Sequence, residues 1–245
     1  MEDHISIIIA NYNKENFIIR CLNSIVKQTY KNYEILIVDD CSTDNSKNII
    51  KEFKNNNHRI SIKLFELSKN YGPSYARNYG IIESKNNFIT FIDSDDYWEE
   101  NFLLEMLKTA NQSKVNLVYC DYKIHRKQSI KNFITPPQVT YSQMLTKSYI
   151  SSSSFLLKIK NKKYFFLNNL QRAEDLHFFL SILKDISYAI KCMNTSSNIT
   201  KLSNSQSSNK LKTLLSRFFV YKELKINYIL IMYYLLMYIF LLNKK

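Results

Sequence analysis

Short apolar runs alternate with amphipathic helical segments over the first half of this 245-residue chain. Five runs have the length and composition of buried strands, and each of the first four precedes a segment with apolar residues at helical spacing. The runs are ISIIIA at 5–10, YEILIVDD at 33–40, RISIKLFEL at 59–67, FITFID at 88–93 and VNLVYCDYKIH at 115–125. This alternation predicts an α/β fold, in which a mostly parallel sheet carries helices on both faces.

Acidic residues end two of these predicted strands. Asp39 and Asp40 close the second run, and the fourth run continues directly into Asp93, Asp95 and Asp96. Ligands of open α/β sheets bind at the carboxyl ends of the strands. Both acidic clusters therefore occupy a position that is typical of a binding site.

The cluster DSDD at 93–96 needs an explanation because neighbouring carboxylates repel each other. Mg²⁺ and Mn²⁺ bind one or two carboxylates together with substrate phosphate oxygens, so a metal and a diphosphate would relieve the repulsion. Aspartates also stabilise the start of a following helix, and the motif alone does not separate the two interpretations. Three observations favour the metal-binding interpretation: the cluster follows a strand, a second acidic cluster ends another strand, and Lys and Arg are in excess around it.

Other candidate residues each have a functional and a structural interpretation. Asp39 and Asp40 could accept hydrogen bonds from a nucleobase, or cap the helix that starts near Thr43. Arg77, early in the segment after Gly72, could bind a diphosphate or pair with the acidic strand ends.

A later helix, predicted over 172–185, begins with two further acids. Asp175 or Glu174 could take a proton from an acceptor hydroxyl, or serve as favourable charge at a helix N-terminus. His177 is interpreted as an exposed helical histidine rather than a ligand.

Composition narrows the possible functions. Only two glycines occur, which excludes the glycine-rich fingerprints of dinucleotide-binding and P-loop proteins. The net charge of +13 is compatible with a nucleic acid, an anionic membrane surface or an anionic small substrate. The four cysteines are far apart without metal-binding spacing, and no leader precedes the first strand, so we expect a cytoplasmic protein with reduced thiols.

Taken together, five segments resemble the bacterial, inverting family 2 glycosyltransferases of the GT-A fold. The segments are SIIIANYN at 6–13, SIVKQTYKNYEILIVDDCSTDNS at 24–46, NYGPSYARNYGI at 70–81, FITFIDSDDYW at 88–98 and RAED at 172–175. The order and spacing of these segments are specific, although no single segment would be. The resemblance covers roughly residues 4–185.

The resemblance implies transfer of a sugar from a nucleotide-diphosphate sugar, usually UDP-linked, with Mg²⁺ or Mn²⁺ as the cofactor. It makes Asp175 the general base and Asp93 with Asp95 the metal-binding pair, with Asp95 the more direct ligand. The residues expected to bind the nucleotide sugar are Ala10, Tyr12, Asp39, Asp40, Arg77, Asp93 and Ser94. The acceptor is expected to be a glycan or a lipid-linked saccharide in surface polysaccharide biosynthesis, such as lipopolysaccharide or capsule.

The last part of the chain differs in character. Its segment 226–242, INYILIMYYLLMYIFLL, contains one clearly polar residue and is flanked by lysines. Seventeen helical residues span about 25 Å, less than a hydrocarbon core of about 30 Å. We expect association with the cytoplasmic face of the inner membrane, either interfacial or embedded; packing against the catalytic domain or a partner protomer is the alternative.

These expectations define a domain plan. A GT-A catalytic domain covers 1–200, with a nucleotide-sugar-binding half at 1–122 and an acceptor half at 123–200, and a basic apolar helical tail covers 201–245. Two other classes remain as alternatives. A sugar nucleotidyltransferase would need a glycine- and arginine-rich loop where this chain has NYNKEN at 11–16. A non-catalytic basic binding protein, such as a nucleic-acid binder, would leave the acidic strand ends unexplained, so no nucleic-acid partner is expected.

Overall fold

A computed structural model of the chain describes residues 3–159, 163–168, 170, 173–201 and 210–243. Its first half alternates strands and helices as the sequence predicts. The elements are β1 Ile5–Asn11, α1 Ile18–Val26, β2 Tyr33–Asp39, α2 Ser46–Asn56, β3 Ser61–Glu66, α3 Pro73–Glu83, β4 Phe88–Phe91, β5 Tyr97–Trp98, α4 Phe102–Ser113 and β6 Leu117–Arg126.

The second half is less regular. Its elements are β7 Ser129–Phe133, β8 Gln138–Val139, α5 Tyr141–Thr146, β9 Phe155–Lys158, α6 Glu174–Asp185, β10 Ala189–Thr200, α7 Lys210–Glu223 and α8 Tyr228–Asn243. Helix α5 begins with a capping box in which Thr140 and Gln143 satisfy each other's backbone amides.

The strands form one mixed, mostly parallel sheet in the order β3-β2-β1-β4-β9-β6-β10-β5. Strands β3, β2, β1 and β4 are parallel, and β10 is parallel to β6. Strand β9 joins the two parallel groups because it runs antiparallel to both β4 and β6. The predicted sheet with helices on both faces is confirmed.

Two hydrophobic cores lie on opposite sides of this sheet. Successive side chains of a strand point to opposite faces, so Ile7 and Ile9 of β1 enter the core under α1, α2 and α4. Ile8 enters the other core, which α3, α5, α6, α7 and α8 cover. Because both faces are covered, the central strands are mostly apolar, and polar residues inside them, such as Ser6, Glu34 and Thr90, are buried as well.

Both glycines lie at positions that require them. Gly80 of α3 packs so closely on β1 that an added Cβ would lie 2.4 Å from Ile8 Cγ2. Gly72, directly before α3, has φ +90° and ψ 163°, a backbone conformation that side chains disfavour.

Two sequence interpretations need correction. The polar composition of NTSSNITKLSNSQSSNK at 194–210 predicts a mobile segment, but residues 194–200 form the end of β10, in which Ser197 and Asn198 are buried. The rest of that stretch, at 202–209, lies outside the described residues. The segment SYISSSSFLLKI at 148–159 predicts a further strand, but the strand is confined to β9, because the serines before it form a turn.

Helices α7 and α8 pack on the side of the sheet covered by α5 and α6. Val220, Tyr221, Ile231 and Leu235 are buried in the same core as the central strands. Among the described helices, none combines the length and apolar content that crossing a lipid bilayer requires.

Candidate active site

The carboxyl ends of β1, β2 and β4 meet at one edge of the sheet. Asn11 pairs with Asp39 across β1 and β2, and its side-chain amide donates to Asp39 Oδ1 at 2.8 Å. On the other side of β1, the amide of Ile92 donates to the carbonyl of Ile8, which aligns the DSDD loop with the same edge. The strand order therefore brings both predicted acidic clusters to neighbouring strand ends.

Arg77 connects the DSDD loop with α6. Its Nη2 donates to Asp93 Oδ1 at 2.6 Å, and its Nη1 lies 3.5 Å from Asp175 Oδ1 and 4.0 Å from Glu174 Oε1. Burial alone would lower the pKa of Arg77, but these three carboxylates raise it, so the guanidinium remains charged. Of the two interpretations of Arg77, the pairing with acidic groups is the one that the structure contains.

The contacts of Arg77 accompany very different pKa values at Asp93 and Asp175. Burial opposes ionisation of Asp93, but Arg77 and Ser152 hold its pKa below the usual range. Burial, opposed by Arg77 and reinforced by Glu174 and Asp93, raises the pKa of Asp175 to about 7. Divergent pKa values in one cluster are typical of catalytic sites. Asp175 keeps 37% of its side chain exposed, so a substrate hydroxyl can reach it.

A turn of four serines before β9 supports the acidic loop, and sequence reasoning did not identify it. Ser152 Oγ donates to Asp93 Oδ2 at 3.2 Å, and Ser153 Oγ donates to Asp96 Oδ2 at 2.6 Å. The amide of Thr200, at the end of β10, also donates to Asp96. Asp96 is buried, and burial together with Asp93 and Asp95 raises its pKa well above the usual range, so it serves as a structural anchor.

Asp95 has a different environment from its neighbours. Its Oδ2 lies 2.7 Å from Lys14 Nζ, and its carbonyl accepts from Arg20 Nη2 at 2.7 Å. Burial and the charge of Asp93 raise its pKa, while Lys14 opposes the rise. Sequence reasoning missed Lys14 and Arg20, because nothing local in the sequence signals a contact with a loop about 80 residues away.

The predicted base-binding acids also have protein partners. Asp39 accepts from the Ser42 amide at 2.9 Å, and Asp40 accepts from the amides of Tyr71 and Gly72 at 2.7 and 2.8 Å. These bonds fix the loops after β2 and β3. Three other residues predicted to bind the donor lie nearby. Tyr12 is exposed, Ala10 is half-buried and Ser94 is buried. Arg172 of the RAED motif lies outside the described residues.

The acidic loop at 93–96 offers few protein ligands to a divalent cation. Within the described part of the chain, no three His, Cys, Asp or Glu side chains converge on one point. Mg²⁺ and Mn²⁺ need fewer protein ligands, because they retain waters and bind substrate phosphates. Asp95 fits this role, because one lysine occupies its Oδ2 and a cation can replace an ammonium group there. Asp93 is a weaker donor, since Arg77 and Ser152 already contact both of its oxygens.

Solved structures share this fold. S. aureus TarS 1–349 in complex with UDP-GlcNAc superposes with a TM-score of 0.75 at 23% identity, covering 90% of this chain and 66% of that one. The mannosyltransferase PcManGT from Pyrobaculum calidifontis, in complex with GDP-Man and Mn²⁺, superposes with a TM-score of 0.71 at 16% identity, covering 93% and 66%. This chain thus spans about two thirds of these proteins. The likeness shows that this chain has the GT-A fold, a mostly parallel mixed sheet flanked by helices.

A family model described as Glycosyl transferase family 2 matches residues 6–181, and the chain belongs to this family. The Escherichia coli protein WfgD, a UDP-Glc:alpha-D-GlcNAc-diphosphoundecaprenol beta-1,3-glucosyltransferase, is 34% identical over all of this chain and 96% of its own length. The putative teichuronic acid biosynthesis glycosyltransferase TuaG of Bacillus subtilis is 27% identical, covering 90% of this chain and 88% of its own length. The chain is therefore a glycosyltransferase, not a nucleotidyltransferase or a basic binding protein.

Proposed function

We propose that this enzyme transfers a sugar, with inversion, from a UDP-sugar to a diphosphate-lipid-linked saccharide during assembly of a bacterial surface polysaccharide. The observation that carries the proposal is the placement of Asp175, which lies beside Arg77 and across it from Asp93. A partly exposed carboxylate with a pKa of about 7 suits a general base at neutral pH.

The reaction follows from this base. The acceptor hydroxyl oxygen attacks the anomeric carbon, and Asp175 takes the hydroxyl proton as the new carbon–oxygen bond forms. The bond between the anomeric carbon and the diphosphate breaks, and its electron pair leaves with UDP. Because attack and departure occur on opposite faces of the sugar, the configuration at the anomeric carbon inverts.

A divalent cation, Mn²⁺ or Mg²⁺, is part of the proposal. Asp95 would hold it directly, with Asp93 as the second carboxylate. When bound, the cation neutralises negative charge on the leaving diphosphate. Asp93 contacts Arg77, and Asp95 contacts Lys14, so acidic and basic side chains lie together at one edge of the sheet. The basic groups can accommodate a diphosphate there, and the acidic groups a cation.

We assign the nucleotide side of the donor to the ends of β1 and β2. Ala10 and Tyr12 would line the base pocket, while Asp40, supported by Asp39, would accept from the base. Ser94 and Arg77 would lie on the sugar-diphosphate side. Exposed Tyr12 offers a ring for stacking on the base.

The acceptor assignment rests on relatives. WfgD and WfaP, both from Escherichia coli, are named as acting on alpha-D-GlcNAc-diphosphoundecaprenol with UDP-Glc, and this chain is 34% and 33% identical to them. A glucosyl donor and a GlcNAc-diphosphate-lipid acceptor are therefore the first pair to test. An acceptor of this kind would place the enzyme at the cytoplasmic face of the inner membrane, with residues 1–200 as the catalytic domain and 201–245 as its tail.

The test uses the full chain, UDP-sugars, Mn²⁺ and a short-chain GlcNAc-diphosphate-lipid analogue, and follows product by mass spectrometry and anomeric NMR couplings. We expect an inverted product with the wild type. Asp175→Asn should lower kcat by about 10²- to 10⁴-fold while UDP affinity stays unchanged. Glu174→Gln, next to the base, is the matched control and should retain transfer. Wild-type rates in Asp175→Asn would exclude this residue as the base.

A further inference from the structure

An apolar stripe runs along the outer side of α7. Leu211, Leu215 and Phe219 are spaced four residues apart, and their side chains are 67%, 51% and 54% exposed. Residues at this spacing share one face of a helix. The opposite face of α7 carries Arg217 and Tyr221, which are buried against the rest of the protein.

Helix α8 continues the exposed apolar surface. Ile229, Met232, Tyr233 and Leu236 are each more than half exposed, while Ile231 and Leu235 on the other side are buried. Helices α7 and α8 pack against each other, so we define their outward apolar residues as the hairpin face. Its members are Leu211, Leu215, Phe219, Ile229, Met232, Tyr233 and Leu236. Large exposed apolar areas of this kind mark sites of interaction.

The inner side of the hairpin is firmly attached to the catalytic unit. The buried guanidinium of Arg217 donates to the carbonyl of Leu145 at 2.9 Å and to Ser148 Oγ at 3.0 Å. Arg217 also stacks on the ring of Tyr238. A helix that spanned a bilayer would have to break these contacts, whereas a helix lying on a bilayer keeps them.

Charge favours a lipid surface over a second copy of the chain. The segment 201–245 has eight Lys or Arg against one acid, Glu223, which gives 8 − 1 = +7. Lys222 and Lys225, around the turn between the two helices, are exposed. A two-fold contact through the hairpin face would bring these basic segments of both copies together. Anionic headgroups attract them instead.

We infer that the hairpin face is a lipid-binding surface, on which α7 and α8 lie in the plane of an anionic bilayer without crossing it. The 16 residues of α8 are about 24 Å long, which suits an interfacial helix. Helix α7 packs against α6, whose first turn carries Asp175, so this orientation holds the base helix close to the bilayer. The functional value of holding Asp175 near the bilayer rests on the proposed lipid-linked acceptor.

The test measures co-sedimentation of the full chain with phosphatidylcholine vesicles, with and without phosphatidylglycerol. We expect binding that increases with phosphatidylglycerol and falls with salt. The variant Leu215→Gln, Phe219→Gln, Ile229→Gln, Leu236→Gln should lower the vesicle partition coefficient at least about tenfold. Its matched control changes exposed apolar residues elsewhere, Ile130→Gln, Ile134→Gln and Met193→Gln, and should bind vesicles like the wild type.

Thermal unfolding and UDP binding check that both variants are folded. Equal vesicle binding by the hairpin variant and the wild type would overturn the inference. The inference would also be overturned if the wild type did not bind vesicles and sedimented as a dimer, while the hairpin variant sedimented as a monomer. Vesicle binding without transfer to the short-chain acceptor would instead refute the proposed function and leave the lipid surface standing.

Discussion

Lys14 Nζ lies 2.7 Å from Asp95 Oδ2, so an ammonium group occupies the carboxylate that we expect to bind a cation. The side chains are 25% and 16% exposed, and the pair is therefore only partly screened by water. A metal must displace Lys14 before it can bind Asp95. The lysine thus competes with the metal until the diphosphate arrives with its own negative charge.

We expect Lys14→Met to tighten Mn²⁺ binding in the absence of nucleotide by up to about fivefold, because the competing ammonium group is removed. Isothermal titration calorimetry with Mn²⁺ measures this change. Lys51→Met is the control, since Lys51 pairs with Glu66 on the surface, and it should leave Mn²⁺ affinity unchanged. Weaker nucleotide-free Mn²⁺ binding in Lys14→Met would contradict the competition.

The pKa of Asp175 predicts how activity depends on pH. Only the ionised carboxylate can act as a base, so kcat/KM should fall as the pH drops below about 7. Glu174 raises this pKa by its negative charge, and Glu174→Gln should therefore move the acidic limb to lower pH. The measurement is kcat/KM against pH at a fixed saturating Mn²⁺ concentration. A limb that moves to higher pH in Glu174→Gln would show that another group controls it.

Ser152 is expected to act as a positioning residue. Its hydroxyl donates to Asp93, and Ser152 also lowers the pKa of Asp175, so it lies between the expected metal carboxylate and the expected base. Ser152→Ala should lower kcat/KM at least about tenfold, since hydrogen bonds to charged groups contribute about 1.5–3 kcal/mol.

The control for Ser152 is Ser154→Ala, two residues along the same turn. Ser154 Oγ bonds only within the turn, to the backbone of Ser151, among the contacts that the structure describes. Ser154→Ala should reduce thermal stability slightly and leave kcat/KM near that of the wild type. Ser152→Thr, which restores the hydroxyl, should recover part of the lost activity. Equal losses in Ser152→Ala and Ser154→Ala would indicate a purely structural role.

The sequence was sufficient for the parallel half of the sheet, because strands covered on both faces are mostly apolar. It failed for the end of β10, where Ser197 and Asn198 are buried between strands β5 and β6, which lie far away in sequence. The amide oxygen of Asn198, for example, accepts from Nε2 of His125 at 2.9 Å. Hydropathy cannot report a buried strand whose side chains are polar, so the segment resembled a linker.

The sequence likewise indicated some residues of the candidate site and missed others. The acids at the strand ends follow from the α/β pattern, since strand ends converge on one edge. The contact between Arg77 and Asp175 joins residues 98 positions apart, and only the family resemblance distinguished Asp175 from Glu174 as the base. Lys14 and Ser152 were missed because lysine and serine are common on surfaces, and their partners become visible only when the loops are folded together.

The two glycines provide a stability test with distinct mechanisms. Gly80→Ala places a Cβ 2.4 Å from Ile8 Cγ2, inside the core between α3 and β1, and should cost about 1–3 kcal/mol of unfolding free energy. Gly72→Ala meets no atom within 4 Å, but φ +90° strains any side chain, at a cost of about 1–3 kcal/mol. Urea unfolding followed by circular dichroism measures both changes.

Ile8→Ala separates the two mechanisms, because it removes the atoms that Gly80→Ala would meet. The single change Ile8→Ala should itself cost about 2–5 kcal/mol, as a cavity in the core. Combined with Gly80→Ala, the loss should be smaller than the sum of the two single losses by about 0.5–3 kcal/mol. Combined with Gly72→Ala, the losses should add, because backbone strain at Gly72 does not involve Ile8. Additive losses in the Gly80 pair would mean that α3 shifts away from β1 to accommodate the new methyl group, and that the close approach at Gly80 is not what fixes the helix on the sheet.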